Sequence, residues 1–135
     1  QGRVLELPVK APKKPRRVEV RTVWLIFRGD RVALCRRPDR GLLAGLWEFP
    51  NQLGDGPSPA DRGIEVLSDG YAGQAKHIFT HIEWQMTLRE VEAGTDALPD
   101  GWVWASGDEL EEKYAVPNAF DRALELAKER LNGGE

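Results

Sequence analysis

Three neighbouring residues between two strand-like segments, Phe79, Thr80 and His81, have side chains suited to contacts with nucleic acid. A hydroxyl offers one donor and two acceptor lone pairs, and an apolar ring can wedge between stacked bases. The imidazole of His81 suits either holding the loop or meeting a phosphate. The alternative is that Phe79 belongs to the core and that Thr80 and His81 merely form a turn.

Basic residues near this turn are candidates for phosphate contacts, which position a protein on a duplex without reading its sequence. The candidates are Lys76, Arg36, Arg37 and Arg40. Because the arginines lie in and after a predicted hairpin, we expect that loop and the turn at Thr80 to share one rim. His77 is interpreted as a structural histidine, and Trp47 and Trp84 as core residues, since each tryptophan sits in an apolar segment.

Acidic residues occur in two groups that invite a metal-site interpretation. Asp61, Glu65 and Asp69 recur at a spacing of four, and Glu109, Glu111 and Glu112 follow Ser106. The first row is typical of a solvated helix face. The second is typical of a capped helix start, where the macrodipole favours acids. We therefore predict no metal site in either group.

Charge is distributed unevenly along the 135 residues. Residues 1 to 40 carry twelve Lys and Arg against four Asp and Glu, a net +8, whereas the rest carry seven against eighteen, a net −11. A basic arm is typical of polyanion contact, although a solvated tail gives the same pattern. The single cysteine, Cys35, excludes an internal disulfide and a multi-cysteine metal site, and its apolar neighbours favour a small core residue.

The elements that must position the candidate residues begin after a proline-rich basic segment, residues 1–17, which is predicted to be a linker. Val18 to Phe27 and Arg31 to Arg36 read as a hairpin around Gly29-Asp30. Lys76 to Phe79 and the alternating segment Ile82 to Val91 read as two strands around the candidate turn.

The remaining segments give two further strands, the first of them in the short apolar segment Leu46 to Pro50, and three predicted helices. A weak helix is expected between Pro57 and Asp69, with Ile64, Val66 and Leu67 as its apolar residues. Trp102 to Ala105 is a strand, and Ser106 with Glu109 forms a capping box. A last helix opens around Pro117 and runs to Leu131. This order predicts an α/β (α+β) fold, a mixed β-sheet flanked by helices, over residues 18–135.

Three segments together resemble the C-terminal domain of MutY-type adenine DNA glycosylases, whose fold is similar to that of the Nudix hydrolases. They are Arg37-Pro-Asp-Arg-Gly-Leu-Leu-Ala-Gly-Leu-Trp-Glu-Phe-Pro50, His77-Ile-Phe-Thr-His-Ile-Glu-Trp84 and Tyr114-Ala-Val-Pro117. The first segment is fairly specific, and its spacing from the second makes chance agreement improbable. The similarity runs from the linker to about Arg130.

The resemblance implies a domain that recognises 8-oxoguanine opposite adenine in double-stranded DNA, while an N-terminal catalytic domain outside this sequence hydrolyses the adenine N-glycosidic bond. Phe79, Thr80 and His81 match the family's Phe-Ser-His loop, with threonine in place of serine. The extra methyl stiffens χ1, so we expect a different angle of approach to the base. The resemblance places a [4Fe-4S] cluster in the absent domain, and no cofactor is expected in this chain.

The resemblance also implies partners and a location. The partners are lesion-containing DNA, the catalytic domain of the same protein and a possible sliding clamp. No apolar run approaches the ~20 residues that a membrane helix needs, so no membrane partner is expected. A bacterial cytoplasmic protein is expected, associated with the nucleoid when it is on DNA.

Two other functions remain open. A Nudix pyrophosphohydrolase needs clustered carboxylates in the pattern Gly-x5-Glu-x7-Arg-Glu-x-x-Glu-Glu to hold magnesium. Aligning Pro50-Asn51-Gln52 with the start of that pattern puts its acidic positions near Val66-Leu67 and Gly70-Tyr71, so the pattern is absent. A protein-interaction module is the other alternative, because the acidic body suits a basic partner.

Overall fold

The N-terminal hairpin is the centre of the sheet. The computed structural model describes residues 16–54 and 56–133. β1, Arg17–Arg28, runs antiparallel to β2, Arg31–Arg36, and Gly29 between them has a φ of 60°, which glycine adopts without strain. The hairpin prediction is confirmed. β1 begins at Arg17, the last residue of the predicted linker, and residues 1–15 of that linker lie outside the described residues.

Five further strands complete a seven-stranded sheet. They are β3 (Trp47–Glu48), β4 (Asn51–Leu53), β5 (Val66–Ile78), β6 (Ile82–Ala93) and β7 (Val103–Ser106). The strand order is β3-β2-β1-β6-β5, with β4 paired to β1 and β7 to β2. β1 and β6 are parallel, whereas the other pairs are antiparallel, so the predicted mixed sheet is confirmed.

Two helices lie at the C-terminal end of the chain. α1, Gly107–Glu112, starts with the predicted capping box, in which Ser106 Oγ accepts from the Glu109 N–H and the Glu109 carboxylate accepts from the Ser106 N–H. A 3₁₀ turn at Asn118–Phe120 leads into α2, Asp121–Gly133. The last helix is therefore confirmed, with its regular part starting slightly later than predicted.

The main core lies between one face of the sheet and α2. β1 contributes Val23, Leu25 and Phe27, and α2 contributes Ala123 and Ala127, all of them buried. A smaller cluster around Trp24 and Ile26 packs on the other face of the sheet. The regular alternation of β1 between these two clusters explains why its central residues are buried on both sides.

The predicted helix between Pro57 and Asp69 is wrong. The structure has only a short 3₁₀ turn, Ala60–Arg62, ended by Gly63 at a φ of 87°, and then enters β5 at Val66. Ile64 is buried against the sheet, whereas Leu67 is 62% exposed, so the apolar residues do not share one helical face. Pairing with β6 extends β5 well upstream of the predicted start at Lys76.

No helix in the described ranges is long and apolar enough to cross a membrane.

Candidate nucleic-acid interface

The turn between β5 and β6 is tight and tied to the neighbouring strand. The Phe79 N–H donates to the Ile82 carbonyl at 2.7 Å, which closes a loop with Thr80 and His81 at its tip. The Arg17 N–H donates to the His81 carbonyl at 3.1 Å, so the start of β1 fixes the turn from the side. Thr80 and His81 are both exposed. The backbone thus presents a hydroxyl and an imidazole to solvent at a fixed place.

Phe79 is half-buried and has a role in each of the two interpretations made from the sequence. Its ring packs edge-on against Trp84, with the centroids 5.0 Å apart, and against His77 at 4.7 Å. It thereby extends the main core. The same ring also lines an open cleft, so Phe79 packs on the core and is also accessible from the cleft.

This cleft has a volume of about 420 Å³ and is formed by two loops. One wall is the β5–β6 turn, and the other is Leu42 from the loop that follows β2. The lining residues are Leu42, Ile78, Phe79, Thr80, His81 and Ile82. The two loops that the sequence places 38 residues apart therefore meet. Sequence reasoning did not name Leu42, although it lies within the segment that carries the family resemblance.

The Leu42 loop is held by its own backbone. The Gly45 N–H donates to the Pro38 carbonyl and the Arg37 N–H to the Leu46 carbonyl, each at 2.9 Å. Leu43 has a φ of 57°, a left-handed conformation that costs a non-glycine residue of order 1 kcal/mol or more. Its side chain packs against the main core, which offsets that strain. Backbone hydrogen bonds and core packing therefore give this loop a defined conformation.

The four predicted phosphate contacts lie in different environments. Arg36, Arg40 and Lys76 are exposed. The Arg36 guanidinium donates to the Gly45 carbonyl at 3.1 and 3.3 Å. The side chain of Arg37 is only 13% exposed and turns inward. No observation tests DNA contact by any of them, and their role stays a prediction.

Arg37 pairs with Glu48 beneath the cleft. Nη1 of Arg37 donates to Oε1 of Glu48 at 2.7 Å, and Nε donates to the Leu42 carbonyl at 2.9 Å. Glu48 is 8% exposed and also accepts from Nδ2 of Asn51 at 2.9 Å. Burying a charged group is costly unless it is paired and hydrogen bonded, and Glu48 is both. Sequence reasoning missed this pair, whose only sequence signal is two opposite charges flanking one loop.

A second, partly buried polar group lies beside the first. Oε1 of Glu19 accepts from Nε1 of Trp84 at 3.0 Å and from Arg21 at 2.9 and 3.1 Å. Arg21 in turn donates to Oδ1 of Asn51 at 2.7 Å, which joins the two groups. Burial alone would raise the pKa of Glu19, but hydrogen bonds and charge from Arg21 and then Arg17 outweigh it, so that pKa lies below its ordinary value.

Trp84 is the residue on which both groups converge. It is fully buried, as predicted, and the guanidinium carbons of Arg21 and Arg37 lie 4.7 and 5.5 Å from its ring centroid. Phe79 packs against the same ring. Trp47 is half-buried, packing on the core and edge-on against Tyr114 at 4.8 Å.

Cys35 is an inert thiol in the described part of the chain. Burial, followed by the nearby charge of Glu48, raises its pKa to about 12. A thiol with that pKa is neither a nucleophile nor a thiolate ligand at neutral pH. Together with the count of one cysteine, this does not fit an iron–sulfur cluster, which needs several thiolates.

The acidic row seen in the sequence does not form a site. Asp61 accepts from Ser58, which lowers its pKa, Glu65 lies between the 3₁₀ turn and β5, and Asp69 pairs with Arg89 at 2.8 Å. Within residues 16–54 and 56–133 no three His, Cys, Asp or Glu side chains form a group that could hold a metal. The positions aligned with the Nudix acidic pattern, Val66-Leu67 and Gly70-Tyr71, lie in β5 and not on a helix.

Comparison with known proteins gives a consistent family. A family model described as "NUDIX domain" matches residues 22–126. The adenine DNA glycosylase of Mus musculus is 30% identical over 158 aligned residues, covering 96% of this chain and 29% of the relative. The human adenine DNA glycosylase is also 30% identical, and the aligned region covers 91% of this chain and 26% of the human protein. The chain thus spans less than a third of the length of the curated relatives it matches.

A solved structure with the same architecture is the C-terminal domain of mouse MUTYH in complex with human PCNA. It has a TM-score of 0.61 at 23% identity, covering 85% of this chain and 90% of that one. The mixed sheet and its C-terminal helix are therefore those of a known fold. Since the family model covers most of the sequence as well, the chain belongs to the NUDIX domain family.

Proposed function

We propose that this chain is the lesion-recognition domain of an adenine DNA glycosylase and that its cleft receives 8-oxoguanine paired with adenine. The observation that carries the proposal is the cleft between the Leu42 loop and the β5–β6 turn, where Phe79, Thr80 and His81 meet. The substrate class is inferred from the mouse adenine DNA glycosylase, which aligns with 96% of this chain at 30% identity.

Oxidation of guanine exchanges hydrogen-bonding groups on the major-groove edge. N7 changes from an acceptor to an N–H donor, and C8 gains an acceptor oxygen, so a reader must notice both changes. The Thr80 hydroxyl both accepts and donates, and it is exposed at the tip of the turn. In this proposal Thr80 accepts from the new N7–H or donates to the new oxygen, and ordinary guanine has neither group. Because the N7 of ordinary guanine can accept from the same hydroxyl, the discrimination depends on how the turn orients Thr80.

Phe79 is the wedge in this proposal. An apolar side chain inserted between base steps must resist being pushed back, and the Phe79 ring rests edge-on against the buried Trp84. Such insertion offsets part of an unstacking cost of a few kcal/mol per step. His81 and the exposed Arg36, Arg40 and Lys76 are then the side chains available to phosphates around the cleft.

The glycosylase reaction is assigned to a catalytic domain outside this sequence, since the relatives are more than three times as long as the region matched. That domain flips the adenine and hydrolyses its N-glycosidic bond. Any [4Fe-4S] cluster is assigned there too. The bacterial cytoplasm and nucleoid remain the proposed location.

The test uses the full-length glycosylase that carries this domain, with duplexes containing adenine opposite 8-oxoguanine or opposite guanine. The variants are Phe79→Ala, Thr80→Val and Thr80→Ser. Valine has the shape of threonine without the hydroxyl, whereas serine keeps the hydroxyl without the methyl, so the two substitutions separate polarity from shape. Single-turnover rates of adenine removal give the preference for the oxidised partner as a ratio.

We expect Phe79→Ala to lower that ratio by about tenfold or more, because stacking of a base on an aromatic ring contributes ~1–3 kcal/mol. Thr80→Val should lower it by about fivefold, because one hydrogen bond contributes a net ~1 kcal/mol. Thr80→Ser should stay near wild type. Removal of adenine opposite guanine should persist in all three. If the ratio is unchanged in Phe79→Ala and Thr80→Val, the cleft is not the lesion reader and the proposal is wrong.

A sliding clamp is a further proposed partner. The supporting observation is that the mouse MUTYH domain with this fold was solved in complex with human PCNA. Binding of this chain to a sliding clamp is measured by titration calorimetry. If the heat of titration does not exceed the heat of dilution, the proposed clamp binding is rejected.

A further inference from the structure

The geometry points to Arg37 as a positioning residue that joins the two walls of the cleft and so sets the lesion preference, and we propose this in place of a phosphate contact. The inference rests on the proposed function, because it explains how that cleft keeps its shape. It starts from one observation: a single guanidinium contacts Leu42 of one wall and the Trp84 ring, on which Phe79 of the other wall packs.

One wall is held directly. Nε of Arg37 donates to the carbonyl of Leu42 at 2.9 Å, and Leu42 is the residue through which the loop lines the cleft. The neighbouring Leu43 has the positive φ of 57°. A loop held in a strained conformation needs fixed partners, and Arg37 supplies one at the residue that faces the cleft.

The other wall is held through Trp84. The guanidinium carbon of Arg37 lies 5.5 Å from the Trp84 ring centroid, and Phe79 packs edge-on against that ring at 5.0 Å. Trp84 is also fixed by its Nε1–H donated to Glu19 and by Arg21 at 4.7 Å. Because Arg37 and Phe79 pack on the same ring, Arg37 supports Phe79 through Trp84 without a contact between Arg37 and the ligand.

The same contacts argue against a phosphate role. The Arg37 side chain is 13% exposed, and Nη1 is donated to the buried Glu48 at 2.7 Å. Reaching a phosphate would take the guanidinium away from Glu48 and leave a buried carboxylate without its counter-charge, which is unfavourable. Arg40, three residues on and exposed, has no such constraint from Glu48.

The experiment compares Arg37→Met, Arg37→Lys and Arg40→Met in the full-length glycosylase. Lysine keeps the positive charge but lacks the planar fork that serves two acceptors and stacks on an aromatic ring. Two quantities are measured: the preference for adenine opposite 8-oxoguanine over guanine, and the slope of log K against log salt for duplex binding. A lost phosphate contact lowers that slope by about 0.9.

We expect both Arg37 variants to lower the preference by about tenfold or more, since small displacements of positioning groups have effects on the order of 100-fold. The salt slope should stay at the wild-type value. Arg40→Met should do the reverse, with the preference kept and the slope reduced by about 0.9. Melting temperatures show which variants are folded. If Arg37→Met does not fold, Arg37→Lys decides the question.

A double-mutant cycle separates positioning from a general structural role. If Arg37 acts through Phe79 and the cleft, Arg37→Lys has a smaller effect on the preference in a Phe79→Ala background than in the wild type, and what remains acts through Leu42. Additive effects would overturn the inference, as would a reduced salt slope in Arg37→Met or a wild-type preference in Arg37→Lys. If instead Phe79→Ala alone leaves the preference intact, it is the proposed function that fails.

Discussion

Glu48 is the residue at which the stability of this domain can be tested most directly. It is 8% exposed, and its Oε1 accepts from Nη1 of Arg37 at 2.7 Å and from Nδ2 of Asn51 at 2.9 Å. Glu48→Ala removes the carboxylate and leaves the Arg37 guanidinium beneath the cleft without its counter-ion. Asn51 keeps a second acceptor, the Phe49 carbonyl at 2.8 Å, so the main effect falls on Arg37.

Removing one partner of a buried ion pair costs about 3–5 kcal/mol, because the remaining charge stays desolvated. That loss is a large part of the ~5–15 kcal/mol that stabilises an ordinary domain. The matched control is Glu125→Ala, which removes a glutamate from an ion pair with Arg122 whose side chains are 58% and 47% exposed. An exposed pair contributes about 0–1 kcal/mol.

Urea unfolding followed by tryptophan fluorescence gives the free energy of unfolding of each variant from its midpoint and slope. We expect Glu48→Ala to lose several times as much stability as Glu125→Ala, with the slope unchanged. If the two variants differ by less than about 1 kcal/mol, the pair under the cleft behaves like a surface pair, and our account of it is refuted.

Three further outcomes follow from other parts of the structure. Because the pKa of Cys35 is raised to about 12, a thiol reagent at about pH 8 should label it far more slowly in native buffer than in urea, and equal rates would contradict this. The pKa of Glu19 is lowered from 4.5, so the contribution of its carboxylate to stability is present above that value and lost as the pH falls below it. In Glu19→Gln the urea midpoint should therefore fall less steeply with decreasing pH than in the wild type. An equally steep fall in both proteins would show that Glu19 does not contribute in this way. Ser106→Ala should cost about 1 kcal/mol by urea unfolding, since it removes the bond to the Glu109 N–H at 3.2 Å, whereas Ser106→Asp should retain most of it.

Local patterns predicted the parts of the fold that depend on local physics. The alternation of Ile82, Trp84, Met86 and Leu88 identified β6, because a strand places successive side chains on opposite faces whatever its partners are. The Ser106 capping box is equally local. The segment from Pro57 to Asp69 failed because its outcome depends on a distant partner: Val66 pairs with Ala93, and that pairing overrides a weak helical pattern.

The candidate site divides in the same way. The turn residues Phe79, Thr80 and His81 were identifiable from their types and from the resemblance. Their cleft was not, because its second wall comes from Leu42, which only the packed structure places nearby. The inward orientation of Arg37 was also hidden, since an arginine in a basic loop looks the same in sequence whether it faces solvent or the buried Glu48.

The parallel pairing of β1 with β6 also has a consequence for how the chain folds during synthesis. Glu19 and Trp84, which are hydrogen bonded in the folded domain, are 65 residues apart in sequence. At about 5–20 residues per second, a ribosome releases β6 roughly 3–13 s after β1. For that time the apolar residues Val23 to Phe27 have only β2 and, once it has emerged, β4 beside them. The β5–β6 turn, in contrast, can close within microseconds of its own emergence. The turn can therefore form before Trp84 has packed against its partners. The affinity of the nascent chain for chaperones should peak while β1 still lacks its parallel neighbour.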